Sequence, residues 1–132
     1  MRIGELGRRA GVSARTLRHY EELGLLPARR RANGYRDHDD ADLRAVSEIR
    51  SLVGLGFALE ETRPFVECLR AGHATGGSCP DSIAVYRSKL AEVDAYLARL
   101  HDVRTELDAQ LRAALLARAP EPRCALDLTG DT

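Results

Sequence analysis

A chain of 132 residues with 44% hydrophobic and 30% charged content has the size of one modest domain, or of a small domain with a long appendage. Only 5% of the residues are aromatic and none is Trp, so the core must rest on Leu, Val and Ala, which suits an all-α fold. The formal net charge is zero, yet residues 1–36 carry nine Arg against three Glu, a local charge of +6 that the remainder balances with −6. Such a division argues for a basic head that meets an anion and a neutral-to-acidic body. There is no apolar run of membrane-spanning length and no signal-peptide-like start, so a cytoplasmic protein without membrane contact is expected. Cys68, Cys79 and Cys124 are an odd number for such a compartment. Free thiols are therefore expected in place of a disulfide framework.

Along the chain, "RIGELGRRAG" places Ile3, Leu6 and Ala10 on one face of a short helix that Gly11 stops. Ser13 is the N-cap of a second helix running to about Leu23, with Gly24 as its stop. Two short helices around a Gly-containing turn read as a helix-turn-helix. Arg15, Arg18, His19 and Glu22 share one face of the second helix, which is cationic and points outward. In "PARRRANGYRDH", Asn33-Gly34 is a hairpin turn signal whose flanks present Arg29, Arg30, Arg31, Tyr35 and Arg36. Those flanks are too charged for a core hairpin, so a small two-stranded wing is expected beside the cationic helix.

Beyond the wing, Asp39 or Asp40 caps a third helix reaching about Val53. A fourth helix, roughly residues 59–71, contains Pro64, which predicts either a kink or a later start near Thr62. "GHATGGS" is a flexible loop. Pro80 then opens a long helix in which Ile83, Leu90, Leu97 and Leu111 fall on a seven-residue period that passes through position 104, and Tyr86, Val93, Leu100 and Leu107 lie three residues after positions 83, 90, 97 and 104. Arg104 is the one misfit in that seam. At 1.5 Å per residue the helix is on the order of 55 Å long, more than a small head can cover. Its apolar stripe needs a partner, most simply a second copy of the chain. The expected organisation is a winged helix-turn-helix at 1–73, a dimerisation coiled-coil helix at 74–118, and a tail at 119–132 with a possible effector loop.

Arginine forks suit phosphate oxygens and guanine edges, and tyrosine hydroxyls reach phosphates, so the basic segment reads as a duplex DNA binder. The second helix would lie in a major groove, with Ser13, Arg15, Thr16, Arg18, His19 and Tyr20 at or near the DNA. Arg31, Gly34, Tyr35 and Arg36 would form the wing's contacts. The plainer alternative is a solvated cationic face with Tyr20 and Tyr35 in a small core. An enzyme is disfavoured, because Cys79 with His73 or His101 lacks an acidic partner and an oxyanion loop. A coiled-coil adaptor with a basic head is the other rival.

The segment "IGELGRRAGVSARTLRHYEELGLLPARRRANGYRDH", continued by "LGFALEETRPFVE" and the long helix, resembles the MerR family of bacterial transcription regulators. The resemblance implies a winged-helix head and a homodimer joined by an antiparallel coiled coil. It also implies promoters with an overlong spacer, bent and untwisted so that RNA polymerase engages both elements. By position, Arg18, Tyr20, Tyr35 and Arg36 look like backbone contacts, and Arg15 and Thr16 look like groove contacts. His19 stands where Tyr or Phe is usual, and His38 where "GYRxY" has a second tyrosine, leaving phosphate contact open at both. Ala58 stands where Ser or Thr commonly caps the fourth helix.

Metal-sensing members of this family place a cysteine at the start of the long helix and a cysteine pair after its end. Cys79 matches the first position, and only Cys124 lies near the second. Cys79 of one chain with Cys124 of the other would supply two thiolates to a thiophilic metal ion, and His73, His101, an acid or water would have to complete the set. The alternative is a capping cysteine and an ordinary tail cysteine. Cys68 reads as a small buried residue, and His73 as a solvated loop residue.

Overall fold

The computed structural model describes residues 1–28 and 37–118. Its elements are α1 (Ile3–Ala10), α2 (Ala14–Glu22), α3 (Asp40–Gly54), a 3-10 turn (Leu59–Thr62), α4 (Arg63–Arg70) and α5 (Pro80–Arg118). Every element among the described residues is helical, in line with the all-α expectation. The wing expected around Asn33-Gly34 lies outside the described residues.

Local chemistry sets each boundary. Gly11 ends α1 with φ +74°, a left-handed conformation that costs a residue with a Cβ. Ser13 caps α2, its Oγ accepting from the Thr16 N–H at 3.1 Å. Asp39 caps α3 in a reciprocal box: its carboxylate accepts from Asp42 N–H at 3.0 Å, and its own N–H donates to Asp42 Oδ2 at 3.4 Å. Of the two outcomes predicted for Pro64, the later start is the one found. A single 3-10 turn comes first, and α4 follows with Pro64 in its opening turn, where a missing N–H costs nothing. Ala58 has no side-chain oxygen to cap with, and Glu61 compensates by accepting from the Ala58 N–H at 2.7 Å.

The chain divides into two compact units, Met1–Lys89 and Leu90–Thr132. The first therefore extends past the loop at 71–79 into the opening turns of α5. Its core gathers Leu6, Leu17, Tyr20, Leu25, Val46 and Ile49 from α1, α2, the segment after α2, and α3. A second apolar cluster, Leu52, Phe57 and Phe65, receives Val85 of α5. Tyr86 joins it edge-on, with ring centroids 4.9 Å from Phe65 and 6.1 Å from Phe57.

Two arginines tie α1 and α2 to the rest of this unit. Arg50 of α3 donates to the Ala10 carbonyl at 3.1 Å, and Arg63 of α4 donates to the Leu23 and Gly24 carbonyls. Each guanidinium thus satisfies orphan carbonyls at a helix C-terminus and complements its negative dipole end.

In the second unit, described to residue 118, α5 continues without interruption. Leu90, Val93, Leu97, Leu100, Leu107 and Leu111 are each between 43% and 65% exposed in the single chain.

Candidate nucleic-acid interface

The helix-turn-helix is held at its tightest point by Gly7, where a Cβ would lie 2.6 Å from the Val12 carbonyl oxygen. This close approach brings α1 against the turn and orients α2. Arg15, Arg18 and His19 are all exposed on α2. The first turn of α2 contains no acidic residue, so its positive dipole end adds to the charge of the two arginines. Ser13 is exposed at the cap and donates to Thr16 Oγ1 at 3.0 Å, which leaves Thr16 half-buried. Arg15, Thr16 and His19 line a shallow groove with Tyr20, Val53 and Leu59. The cationic, outward face read from the sequence is present, and its chemistry suits phosphate and base-edge acceptors.

Tyr20 differs from the other α2 residues. It is 4% exposed and belongs to the core, as the plainer reading of that tyrosine held. Burial raises its hydroxyl pKa above the ordinary value, with the positive charge of Arg50 opposing the shift. Arg31, Gly34, Tyr35 and Arg36 lie outside the described residues.

His38 is turned inward, 2% exposed, with Nδ1 3.0 Å from Asp42 Oδ2 and Nε2 3.7 Å from Glu21 Oε2. Asp42 is itself fully buried and accepts from Arg70 Nη2 at 3.0 Å. This network joins α2, α3 and α4, so the phosphate contact left open for His38 is replaced by an internal one. Burial of the Asp42 carboxylate is tolerated because Arg70 and the Asp39 N–H face it.

The cysteines correct the sequence reading. Cys68 and Cys79 form a disulfide, with Cα atoms 6.0 Å apart, where free thiols were expected. The rule against disulfides rests on compartment, and it gave no account of two cysteines that the α4–α5 loop returns to one point. His73 lies with them, the imidazole nitrogen and the two sulfurs all within 4.8 Å of one another. Cys68 is buried as expected but bonded, and His73 is an exposed loop residue as expected, standing beside both sulfurs. The spacing of two cysteines and a histidine around a glycine-rich loop was the available signal. Cys124 lies outside the described residues. In the dimerisation set, Ile83 and Tyr86 are each 39% exposed, but the Tyr86 ring also serves the aromatic cluster of its own chain. The roles of Arg50, Arg63 and Arg70 were not foreseen.

Comparison with known proteins adds the family context. The family model described as MerR HTH family regulatory protein matches residues 1–67, and the one described as MerR, DNA binding matches residues 43–110. The HTH-type transcriptional regulator HmrR of Rhizobium leguminosarum bv. viciae is 31% identical over 113 residues, covering 86% of this chain and 85% of the relative. Among solved structures, the transcription regulator PbrR691 from Ralstonia metallidurans CH34, in complex with lead(II), has a TM-score of 0.67 at 30% identity, covering 85% of this chain and 86% of that one. HiNmlR, a MerR family regulator lacking the sensor domain and bound to promoter DNA, has a TM-score of 0.53 at 27% identity, covering 90% of this chain and 93% of that one.

Proposed function

Because this chain belongs to the MerR family of DNA-binding transcription regulators, we propose that it acts in the cytoplasm as a homodimer that distorts promoter DNA with an overlong spacer. Distortion lets RNA polymerase engage both promoter elements. The observation that carries this reading is the α2 face, where Arg15, Arg18 and His19 stand exposed on a helix capped by Ser13 and braced by Arg63. Arg15 and Thr16 read the groove, while Arg18 holds the phosphate backbone, joined by Arg31, Gly34, Tyr35 and Arg36 of a wing. Residues 1–73 serve as the DNA-binding head, 74–118 as the dimerisation helix and 119–132 as the tail.

The dimer is argued from α5. Its apolar seam is exposed along the second unit, and a stripe of that length left in water is a standing drive for association. Ile83, Tyr86, Leu90, Val93, Leu97, Leu100, Leu107 and Leu111 form the interface, antiparallel as the family resemblance implies. The test is a binding-site selection from a random duplex pool, followed by footprinting and a circular-permutation assay. A two-fold footprint with a bend at its centre is the expected result. A footprint on one half-site without a bend would defeat the reading.

A second reading, effector response to a thiophilic metal ion, is supported by the cluster of Cys68, His73 and Cys79 and by the lead(II) complex of PbrR691. The donor set fits such an ion only when both cysteines are reduced, since a disulfide offers no thiolate. Cys79 and Cys68 with His73 would then hold it inside one protomer, and Cys124 of a second chain would supply a further ligand. A bound metal would lock the thiols in their deprotonated form. Metal content of the reduced protein tests this reading directly.

A further inference from the structure

We propose that Cys79 and Cys68 form a peroxide-responsive thiol–disulfide switch at the entry to the long helix, with Cys79 as the attacking sulfur and Cys68 as the resolving one. The regulatory half of this proposal rests on the DNA-binding reading above, while its chemistry does not.

The two sulfurs are unlike in exposure and setting. Cys79 is half-buried, directly before the first residue of a 39-residue helix, and its carbonyl accepts the first helical hydrogen bond from Ile83 N–H at 3.0 Å. Cys79 is therefore the sulfur that a small oxidant arriving from solvent meets first. Cys68 is 3% exposed within α4, sheltered from direct oxidation but in reach of its partner. His73 is exposed beside both.

Hydrogen bonds as well as the S–S bond hold the loop between them. Ser82, fully buried, donates to the Gly76 carbonyl at 2.6 Å, and His73 N–H donates to the Cys68 carbonyl at 3.3 Å. Arg44 of α3 reaches the His73 carbonyl at 3.5 Å. When the bond is opened, the Cys68 thiol finds the Thr75 carbonyl 3.4 Å away as an acceptor. The Ser82, His73 and Arg44 hydrogen bonds involve neither sulfur, so opening the S–S bond leaves their donors and acceptors intact. In a reducing compartment, disulfides are mostly of this transient, sensing kind.

The chemistry balances with a hydroperoxide as oxidant. The Cys79 thiolate attacks the terminal peroxide oxygen, forming an S–O bond as the O–O bond breaks, and the departing alkoxide or hydroxide is protonated to an alcohol or water. The Cys68 thiol then attacks the Cys79 sulfenic acid, forming the S–S bond and releasing water. The two sulfurs lose two electrons in all, which reduce the hydroperoxide. A dithiol returns two electrons and two protons and restores both thiols.

The experiment uses the full chain carrying Cys124→Ser, reduced, desalted and treated with equimolar hydrogen peroxide, with thiols followed by differential alkylation and mass spectrometry. Both thiols should disappear together into an intrachain disulfide and return with dithiothreitol. Cys68→Ser should stop at a Cys79 sulfenic acid that dimedone traps, and Cys79→Ser should leave Cys68 reduced. Survival of both thiols, oxidation of Cys68 first, or a metal ion that stays on the two thiols through the treatment would overturn the switch. Binding of a duplex selected with the reduced protein should then differ between the two redox forms, and neither single-cysteine variant should show that difference. Equal binding and bending by both forms would overturn the regulatory half. Failure of both forms to bind any duplex would sink the DNA reading while the thiol result stood.

Discussion

His38 Nδ1 lies 3.0 Å from Asp42 Oδ2, and neither side chain has any exposure to solvent. Glu21 of α2 and Arg70 of α4 also reach the pair, and His38 stands where the family's "GYRxY" has a second tyrosine. Replacing His38 by Ala removes the imidazole that faces Asp42, which stays buried against Arg70. A loss of about 1–3 kcal/mol is expected, read as a lower denaturant midpoint with an unchanged slope. The salt dependence of DNA binding should stay as it is, and a reduced salt slope in this variant would restore His38 to the phosphate surface.

Arg18 is exposed on α2, and in the proposed reading it holds the phosphate backbone. Arg18→Ala should weaken selected and random duplexes alike and reduce the salt slope by about one unit. Loss of sequence preference alone, with the slope intact, would move Arg18 from the backbone to the base edges.

Leu97 is 58% exposed in the single chain, near the middle of the α5 seam. Leu97→Glu sets a charge into an apolar interface, so sedimentation should give a species of 14.5 kDa and operator binding should be lost. A variant that remained dimeric would place the interface elsewhere.

Glu61 accepts from the Ala58 N–H at 2.7 Å and pairs with Lys89 at 2.9 Å, and these bonds, the backbone one foremost, hold its carboxyl below the usual range. The folded-state pKa is thus lower than the unfolded one. Its contribution is complete above the unfolded value and is lost as pH falls through the folded one. Glu61→Gln should therefore lower stability at neutral pH, and the gap to the parent protein should narrow as acid is added. A gap that widened in acid would reverse the sign of this linkage.

Ser13→Ala removes the acceptor for Thr16 N–H and should cost about 1 kcal/mol in a thermal or denaturant melt. Ser13→Gly should cost only a few tenths, because glycine also suits that position. Equal losses would show that the capping bond contributes nothing of its own.

Ser13, Gly11, Gly24, Asp39 and the later start at Pro64 were legible because a helix boundary depends on residues within one turn of it. The cationic face of α2 and the seven-residue seam of α5 were legible for the same reason, since helical period places i, i+3, i+4 and i+7 together whatever surrounds them. The long-range pairings were decided elsewhere. Arg63 reaches Leu23 across 40 residues of sequence, Arg70 reaches Asp42 across 28, and Cys68 meets Cys79 across a loop whose path depends on Ser82 and Gly76. Composition and period by themselves determined a basic helical head and a long helix that needs a partner. Only the tertiary structure decided that His38 faces inward, that Tyr20 belongs to the core and that two thiols share one point. Each of those outcomes follows from burying polar groups, which have to find partners wherever the packed chain brings them.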